Sequence, residues 1–376
     1  MYDCIVVGAG PAGSSTAYHL AKQGRTVLII EKASLPRYKA CTGAVSPLIA
    51  EWFDFDFDPA IAYKLRQLRY TWKLGDEVTG ELETEEPIWI VQRDIFDHFL
   101  TQQAIAQGAE LKDNTPALGI QFTHEHWLVE TANGDFAGRY LVAADGAHGP
   151  LSDWLGFKKT KLKSAATLEV KTATPNAQAQ AMNFEFGLLK SGCLWCFPRA
   201  EGYVIGVANF LGKGSQDYQT VLAQYAPTFG GSYREGITYP ATLKLWERKQ
   251  PLHTQQAVVV GEAAAIVDPL TAEGIRHGVY SGVKAAEAIH IALQGKPEAL
   301  ANYTQAIHEW GNNMQWAQRI AQVFFRAQGI GYKVGIKRPT ATKRMGQLLA
   351  GEIQYSDIAN RVIKRMSTGF FPGRKQ

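Results

Sequence analysis

Three glycines near the amino terminus form the strongest chemical signal in the sequence. Gly8, Gly10 and Gly13 follow an apolar run and precede a stretch with helical spacing. Because glycine has no side chain, such a turn lets the backbone approach a diphosphate, whose charge the start of the helix then stabilises. Glu31 follows Gly13 by 18 residues, and a carboxylate there can accept hydrogen bonds from ribose hydroxyls. The spacing predicts a nucleotide-binding site, but by itself it does not separate FAD from NAD.

The elements that must hold this turn follow from the hydrophobic pattern around it. Residues 3–7 form an apolar run typical of a buried strand, and residues 26–30 form a second one. Residues 12–23 between them have helical spacing, and Gly24 stands where a glycine often ends a helix. The order strand, turn, helix, strand predicts a βαβ unit with the acidic side chain at the end of its second strand.

Beyond this unit, the pattern predicts a chain that leaves the first sheet and returns to it. In order, we expect a strand at 89–92, a helix that Gly108 ends, strands at 111–114, 120–122, 127–131, 139–143 and 257–260, and a long helix at 273–293. Residues 167–209 alternate and are rich in β-branched and aromatic residues, which predicts an antiparallel sheet. A mostly helical C-terminal region is predicted by apolar residues at helical spacing, namely Trp310, Trp316, Ile320, Phe324 and Phe325.

The composition narrows the class of protein. The chain has 376 residues, of which 46% are hydrophobic, enough for a large core arranged as two domains or as one interleaved domain. Four cysteines and no charged-then-apolar leader argue against a secreted disulfide scaffold and predict a cytoplasmic protein. No run approaches the ~18 uninterrupted apolar residues of a membrane span. We therefore expect a protein that is soluble or peripheral on the cytoplasmic face of a membrane.

Cys193 and Cys196 form a CxxC pair, which raises the question of a zinc or redox site. The sequence has no second pair and no nearby histidine at zinc spacing. On a strand, residues three apart also face opposite sides. We predict no metal site and expect Leu194, Trp195, Phe197 and Pro198 to form a wall of an apolar pocket.

The net charge of +4 is distributed unevenly along the chain. From Arg319 onward there are 12 lysines and arginines against Glu352 and Asp357. This basic region, which includes the tail at 367–371, predicts either contact with an anionic membrane, at about 1 kcal/mol for each basic residue, or a solvated helical face. Nucleic acid is not expected as a partner, because the basic residues lack interleaved aromatic residues and any reader motif.

Several segments far apart in the chain form an ordered set of motifs. They are residues 36–47 (PRYKACTGAVSP), 91–97 (VQRDIFD), 143–147 (AADGA), 194–198 (LWCFP) and 260–264 (VGEAA), then Pro269 and residues 273–275 (EGI). Together with the glycine turn, this set resembles the geranylgeranyl reductase family of flavoproteins, within the larger group that shares the para-hydroxybenzoate hydroxylase fold. The resemblance covers roughly residues 1–295 in the correct order, which isolated motif matches rarely achieve.

The resemblance implies an α/β fold: a Rossmann-type FAD-binding domain interleaved with an antiparallel-sheet substrate domain, plus a C-terminal helical region. The implied boundaries are 1–60, 88–160 and 255–298 for the FAD-binding domain, 61–87 and 161–254 for the substrate domain, and 299–376 for the helical region. The implied FAD-binding residues are Gly8, Gly10, Pro11, Ala12, Gly13, Glu31, Lys32, Arg37, Cys41, Thr42, Gly43, Arg93, Asp145, Gly261, Glu262, Pro269, Gly274 and Ile275. The implied substrate-binding residues are Trp195, Phe197 and Pro198.

Individual charged residues admit more than one role. Arg93 can reach the linker or diphosphate of a flavin cofactor, or it can pair with Asp94 or Asp97 at the surface. Asp145 follows a buried strand, at the edge where open α/β sheets bind ligands. Glu262 stands where the family normally has Asp, so it can still hold ribityl hydroxyls only if the ribityl chain or the backbone shifts. The long helix that follows can stabilise an anionic reduced flavin by up to ~2 kcal/mol.

The implied reaction is reduction of carbon-carbon double bonds in a prenylated small molecule or lipid by hydride from reduced flavin. An isolated alkene does not hold negative charge, so a positioned acid must supply a proton in a dry pocket. Cys41 and Tyr38 are the candidate acids. Cys41 lies near Lys39 in the sequence, so its thiol can instead tune the flavin or simply be packed. No separate nicotinamide-binding unit is visible, so we expect NADPH as a transient visitor or reduced ferredoxin, an electron-transfer protein, as the donor.

Two other functions fit the same sequence. An aromatic monooxygenase of this fold would bind FAD but activate dioxygen. A prenyl-binding escort protein would retain the fold without chemistry. Departures from the family pattern at Glu262, Cys193 and Gly149, the last where relatives often have Ser, keep the escort alternative open.

Overall fold

The structure is a computed structural model that describes residues 1–172, 180–212, 217–338 and 340–359. The last part of the basic region, residues 360–376 with the segment at 367–371, lies outside the described residues. The strands are β1 (Tyr2–Val7), β2 (Val27–Ile30), β3 (Ala44–Val45), β4 (Tyr63–Leu65), β5 (Gln67–Trp72), β6 (Gly75–Glu81), β7 (Ile88–Ile90), β8 (Glu110–Lys112), β9 (Ala117–Thr123), β10 (His126–Thr131), β11 (Phe136–Ala143), β12 (Lys163–Lys171), β13 (Met182–Phe186), β14 (Gly192–Arg199), β15 (Gly202–Asn209), β16 (Gly236–Leu243), β17 (His253–Thr254) and β18 (Ala257–Val259). The helices are α1 (Pro11–Lys22), α2 (Arg93–Ala106), α3 (Leu151–Trp154), α4 (Tyr218–Tyr225), α5 (Ile275–Leu293), α6 (Ala299–Arg326), α7 (Gln328–Gly331) and α8 (Ala341–Ala350).

The first sheet carries the glycine turn. Strands β18, β11, β1, β2 and β8 run parallel in that spatial order, and β17 and the β9–β10 hairpin add antiparallel strands. Val7 pairs with both Ile30 and Ala143, and Ala143 pairs with Val259. Four parallel strands therefore end in register. Because ligands bind outside the carboxyl ends of such strands, the loops that follow them meet at one edge.

Two helices pack closely against each other beside this sheet. A side chain at Gly282 of α5 would place its Cβ 2.3 Å from the carbonyl oxygen of Ala12 in α1. The missing side chain lets the two backbones touch. The start of α5 is consequently held beside the start of α1 and the glycine turn.

The second sheet forms the other half of the molecule. Its spatial order among the described residues is β16, β12, β15, β14, β13, β5 and β6, and every pair is antiparallel except β13 with β5. The antiparallel sheet predicted at 167–209 is confirmed, with this one parallel pair. Strands β3, β7 and β4 form a small third sheet in that spatial order.

The C-terminal helices cover one face of the second sheet. Phe325 of α6 stacks on Phe210, with ring centroids 4.6 Å apart, and Phe324 meets Phe186 of β13. The helical region predicted from Trp310 to Phe325 is confirmed as α6. None of the helices in the described part of the chain is both long and apolar enough to cross a membrane.

The fold class predicted from the sequence is confirmed, whereas the domain boundaries stay a prediction. The strand expected at 257–260 ends at Val259, and the helix expected at 273–293 begins at Ile275. Cys193 lies in the core between the second sheet and α6, and Cys196 lies in a separate core on the opposite face. The prediction that the CxxC pair is split across the sheet is confirmed. The described residues contain no group of three or more His, Cys, Asp or Glu side chains that could hold a metal ion.

Candidate active site

The three glycines of the turn have different surroundings. Gly8 has φ +112°, and a Cβ there would lie 2.3 Å from the carbonyl oxygen of Ala144. A Cβ at Gly13 would lie 1.9 Å from the carbonyl oxygen of Gly8. At Gly10, the nearest atom to an added Cβ is Nη2 of Arg37, at 3.7 Å. Gly8 and Gly13 are required by packing, whereas Gly10 leaves its space open toward a cleft.

This cleft, which we name the nucleotide cleft, has a volume of about 610 Å³. It runs from the glycine turn to the start of α5. It is lined by most of the residues predicted to hold a cofactor, namely Gly8, Gly10, Pro11, Ala12, Glu31, Lys32, Arg37, Cys41, Arg93, Asp145, Gly261, Glu262, Gly274 and Ile275. Of the remaining four, Thr42 and Gly43 line a different cavity. Gly13 is buried within α1, and the buried Pro269 borders neither space.

Glu31 is fixed at the end of β2 by backbone amides. Its Oε2 accepts from the amide of Ala9 at 2.9 Å, and its Oε1 accepts from that of Ala33 at 3.1 Å. The side chain is 4% exposed. The carboxylate therefore ties the glycine turn to β2 and borders the cleft at the same time.

Two arginines meet at one buried carboxylate beside the cleft. Asp97 is 0% exposed and accepts from Nε and Nη2 of Arg93 at 2.7 and 2.8 Å. Its Oδ2 also accepts from Nη1 of Arg37 at 2.9 Å. Burial by itself lowers the pKa of Arg93. The nearby carboxylate of Asp97, and to a smaller extent Cys41, outweigh burial and raise the pKa of Arg93 above its ordinary value. The partner weighed for Arg93 in the sequence is thus the correct residue, but the ion pair is buried rather than at the surface.

Asp145 lies beyond the end of β11 with one unpaired oxygen. Its Oδ2 accepts from the amide of Leu151 at 2.8 Å, and its Oδ1 is buried without a hydrogen-bond partner among the described residues. Burial raises the pKa of this carboxyl. A Cβ at Gly149 would lie 1.9 Å from Cγ of Asp145. The glycine that departs from the family pattern therefore makes the space that this carboxyl occupies.

Glu262 follows β18 and faces two lysines. Its Oε2 lies 3.8 Å from Nζ of Lys39, and its Oε1 accepts from the amide of Lys244 at 3.3 Å. The Lys244 ammonium donates to the carbonyl of Ala263 at 2.7 Å. Burial lowers the pKa of Lys244. Nearby carboxylates oppose this shift, and that of Asp145 has the largest effect among them. The extra methylene of Glu262 thus carries its carboxyl to lysines at the edge of the cleft.

A second space, which we name the apolar cavity, has a volume of about 490 Å³. Its walls come from β13, β14, the end of α6 and α8, and include Phe184, Cys193, Trp195, Phe197, Phe324 and Met345. The indole nitrogen of Trp195 donates to Oγ1 of Thr42 at 2.7 Å. A Cβ at Gly206 would lie 2.4 Å from Cε2 of Trp195, so the glycine lets the indole lie flat against β15.

Two residues predicted for the wall of this cavity do not reach it. Leu194 lies in the core on the opposite face of β14, and Pro198 shares that face by alternation. The wall is made instead by Cys193, Trp195 and Phe197. The prediction for Leu194 and Pro198 is wrong, because successive side chains on a strand point to opposite sides.

The two spaces adjoin each other at a small group of residues. Cys41, Ala272, Gly274 and Ile275 border both the nucleotide cleft and the apolar cavity. The carbonyl of Cys41 accepts from Nη2 of Arg199 at 2.7 Å, which fixes this loop against the second sheet. A group bound in the cleft and a molecule bound in the cavity would therefore meet at this junction.

Tyr38 lies away from that junction. Its side chain is 46% exposed, its hydroxyl donates to Oε1 of Glu169 at 3.1 Å, and its ring stacks on Tyr239. It borders the nucleotide cleft but not the apolar cavity. Burial also raises the pKa of the phenol, which makes it a weaker acid. Tyr38 therefore lies outside the apolar cavity, and its role as an acid stays a prediction.

Sequence reasoning missed two residues that the fold brings to the site. The sequence predicts Asp97 only as a possible surface partner of Arg93, although its position four residues after Arg93 on one helix already places the two side chains together. Glu273 was noted as part of a motif, but it borders the apolar cavity with its side chain 8% exposed. The only signal for it in the sequence was its position directly before Gly274.

The residues around the cleft suit FAD. The open face of Gly10 admits a diphosphate, and the carboxylates of Glu31 and Asp145 lie where strand ends meet a nucleotide. The unpaired Oδ1 of Asp145 is an acceptor that a hydroxyl or an amide of a ligand can satisfy. The junction with the apolar cavity leaves the far end of the cleft facing a substrate space.

Comparisons with known proteins agree with this geometry. A family model described as FAD dependent oxidoreductase matches residues 3–88. Digeranylgeranylglycerophospholipid reductase of Methanocaldococcus jannaschii is 27% identical over 314 residues, which cover 78% of each chain. Menaquinone reductase of Mycobacterium tuberculosis is 30% identical over 315 residues, or 76% of each chain. The structure of a geranylgeranyl bacteriochlorophyll reductase-like protein from Thermoplasma acidophilum superposes with a TM-score of 0.75 at 21% identity, covering 94% of this chain and 92% of the other. From the sequence motifs, the site and these relatives, we conclude that the chain belongs to the geranylgeranyl reductase family of FAD-dependent oxidoreductases.

Proposed function

We propose that this protein reduces carbon-carbon double bonds in the prenyl chain of a lipid or small molecule. The observation that carries the proposal is the junction at Cys41, Ala272, Gly274 and Ile275, where the nucleotide cleft adjoins the apolar cavity. A prenyl chain is long and apolar and matches a cavity walled by aromatic and aliphatic side chains. The relatives include reductases named for a digeranylgeranyl lipid and for menaquinone, two compounds that carry prenyl chains.

In this proposal, different residues around the cleft bind different parts of FAD. We assign the glycine turn to the diphosphate, Glu31 to the ribose of the adenosine half, and Glu262 to the ribityl hydroxyls. Arg37 and Arg93, both fixed by a buried carboxylate, balance the negative charge of the diphosphate. The start of α5 then lies at the flavin ring, where its dipole favours negative charge by up to ~2 kcal/mol. When bound and reduced, FAD supplies the hydride.

The apolar cavity excludes water from the proposed reaction. Trp195 and Phe197 hold the prenyl chain, and the hydrogen bond from Trp195 to Thr42 fixes the indole next to the junction. Cys41 borders both spaces and faces the Arg93 guanidinium. We therefore assign Cys41 to tuning the environment of the flavin, rather than to a separate redox centre.

Contact with a membrane is a second part of the proposal. Val323, Ile330 and Val334 are 73%, 67% and 52% exposed at the end of α6 and in the turns after it. Val334 and Arg338 also border the apolar cavity. Apolar side chains next to basic residues suit the surface of an anionic membrane, from which a lipid-borne substrate can enter. Sedimentation with vesicles of phosphatidylglycerol should bind the protein, and replacing Val323, Ile330 and Val334 by serine should abolish that binding.

The reductant in this proposal is NADPH, as a transient visitor, or reduced ferredoxin. Stopped-flow spectra with each donor distinguish them, because the productive donor bleaches the flavin absorption near the rate of turnover. If neither donor reduces the flavin while dithionite does, the assignment of the donor is wrong.

An anaerobic experiment tests the main proposal. The FAD-loaded protein is reduced with one equivalent of dithionite and mixed with digeranylgeranylglycerophospholipid or with menaquinone in detergent micelles. We expect the flavin absorption to return and tandem mass spectrometry to place two added hydrogens per bond reduced in the prenyl chain, rather than in the quinone ring. If neither compound reoxidises the flavin, the proposed prenyl reduction is refuted. Hydroxylated product formed only with dioxygen would instead identify a monooxygenase.

A further inference from the structure

A cluster of buried polar side chains surrounds the start of α5, at the end of the apolar cavity nearest the junction. Four of its members are almost fully buried: Asp268 (1% exposed), Arg276 (6%), His277 (2%) and Tyr355 (4%). Glu273 belongs to the same cluster, with its side chain 8% exposed. Charged groups are rarely buried in this number without a reason. Of these five residues, Glu273 and Tyr355 also border the apolar cavity.

The carboxyl of Glu273 is paired on one side only. Its Oε2 accepts from Nη2 of Arg276 at 2.7 Å. Its Oε1 is buried and has no hydrogen-bond partner among the described residues. A buried carboxylate oxygen without a hydrogen-bond partner destabilises the folded protein. Protonation of that oxygen neutralises the carboxylate and so reduces this destabilisation. Burial next to an apolar space therefore favours the protonated form of this carboxyl, whereas the ion pair with Arg276 favours the charged form.

The neighbouring imidazole supports this arrangement. Trp310 donates from its indole nitrogen to Nδ1 of His277 at 2.9 Å. The neutral ring therefore carries its proton on Nε2, which lies 3.8 Å from Oε2 of Glu273 and 4.0 Å from Oδ2 of Asp268. Burial holds the pKa of His277 well below its ordinary value. The ring is a neutral group between two carboxyls and adds no cation that would drive a proton from Glu273.

Position along the chain connects this carboxyl to the proposed site. Glu273 directly precedes Gly274 and Ile275, which border both the nucleotide cleft and the apolar cavity. Side chains at this point therefore flank the place where a flavin ring and a prenyl chain would meet. Tyr38, by contrast, borders only the nucleotide cleft.

We propose that Glu273 is the acid that protonates the prenyl double bond during its reduction. This inference rests on the proposed function and adds to it the identity of the proton donor. The π electrons of the alkene take the proton from Oε1 of Glu273, and the O–H bond breaks to leave a carboxylate next to Arg276. The other alkene carbon receives hydride, with its two electrons, from the reduced flavin, and both electrons come to the flavin from the external donor, as one hydride or in two single-electron steps. A proton from solvent then restores the acid, so one double bond, one proton and one hydride give one saturated bond.

The titration of Glu273 agrees with this role. Burial raises the pKa of its carboxyl to about 7, with Arg276 opposing the shift and Asp268 adding to it. The other groups that face it are the neutral His277 and the phenol of Tyr355, whose own pKa burial raises. A substantial fraction of Glu273 is therefore protonated at neutral pH and can act as a general acid.

Single-turnover kinetics test the proposal in the FAD-loaded protein. Flavin reduced by dithionite is mixed anaerobically with digeranylgeranylglycerophospholipid, which has no quinone ring to accept electrons, and reoxidation is followed in wild type, Glu273→Gln and Glu273→Asp. We expect Glu273→Gln to slow reoxidation by about 100-fold or more, without changing the rate of reduction by dithionite. Glu273→Asp, which keeps an acid one methylene shorter, should recover part of the rate. Glu287→Gln, on the exposed face of the same helix, is the matched control and should reoxidise at the wild-type rate.

The outcomes separate the two proposals. Wild-type flavin that digeranylgeranylglycerophospholipid does not reoxidise refutes reduction of this prenyl lipid, and the role of Glu273 with it. Wild-type reoxidation that Glu273→Gln retains within about threefold refutes only the role of Glu273. Loss of reoxidation in Cys41→Ala together with its retention in Glu273→Gln would assign the proton to the thiol instead. If Glu273→Gln does not retain FAD, Glu273→Asp carries the test, and an unchanged rate with an unchanged pH profile refutes the inference.

A measurement without turnover provides an independent check. Infrared difference spectra between wild type and Glu273→Gln, recorded on the protein without substrate, isolate the stretch of a protonated carboxyl. That band should disappear with a midpoint near the pKa of about 7. A carboxyl that is already fully ionised at about pH 5, close to the ordinary behaviour of Glu, would overturn the proposal.

Discussion

Gly10→Ala should separate cofactor binding from folding. Gly10 precedes α1 with an extended backbone (φ −84°, ψ 178°) that alanine also adopts. The added Cβ would meet no described protein atom nearer than 3.7 Å. We therefore expect the stability of the cofactor-free protein to change by no more than about 1 kcal/mol, the usual range for loss of a favourable residue at this position of a helix.

The same methyl group enters the space assigned to the diphosphate. Hydrogen bonds from backbone amides to a charged group contribute about 1.5–3 kcal/mol each, and each 1.4 kcal/mol changes a dissociation constant about tenfold. Displacing the diphosphate enough to weaken one or two such bonds should reduce FAD affinity by about 100-fold. The affinity is measured by titrating FAD into deflavinated protein and following the quenching of flavin fluorescence, and stability is measured by urea unfolding of the same preparation.

Two further glycine-to-alanine variants serve as controls for this prediction. Gly13→Ala places a Cβ 1.9 Å from the carbonyl of Gly8, so it should destabilise the cofactor-free protein by about 1–3 kcal/mol. Gly75→Ala, on an exposed strand where the nearest atom to the added Cβ is 4.0 Å away, should leave both stability and FAD affinity unchanged. If Gly10→Ala binds FAD like wild type, the diphosphate does not lie at Gly10, and the placement of FAD in the nucleotide cleft is refuted.

Three further predictions follow from buried carboxyls. Asp97→Asn should lower the free energy of unfolding by about 3–5 kcal/mol, since it removes the buried anion that pairs with Arg93 and with Arg37. In the urea measurement Asp94→Asn is the control, and equal losses in both would contradict the role of Asp97. Gly149→Ser places a Cβ 1.9 Å from Cγ of Asp145 and should lower the free energy of unfolding by about 1–3 kcal/mol. A crystal structure of the variant should show the carboxyl of Asp145 displaced. Folding raises the pKa of Glu273 from 4.5 to about 7, so the folded state binds more protons than the unfolded state between these two pH values. The free energy of unfolding should therefore fall as the pH rises from 4.5 to about 7. Glu273→Gln should flatten this part of the plot of stability against pH, and a slope identical to that of wild type would show that another group is responsible.

The sequence by itself determined the local pieces of the nucleotide cleft. Hydrophobic runs and glycines placed β1, α1 and β2 within one or two residues, because strand, turn and helix preferences act over short distances. The order of Gly8, Asp145 and Gly261 along the chain was also sufficient to predict that their loops meet, since parallel buried strands end at the same edge of a sheet.

Only the tertiary structure decided which side chains face which space. Leu194 and Trp195 are adjacent and both apolar, yet they belong to different cores, and that assignment depends on which face of β14 is covered by α6. Tyr38 and Glu273 were equally visible in the sequence, but the fold exposes the first and buries the second beside Arg276. Burial, and the pKa change that it causes, comes from elements distant in the chain that pack together. Local sequence therefore predicted where chemistry-bearing residues are, whereas long-range packing decided which of them are buried and which are exposed.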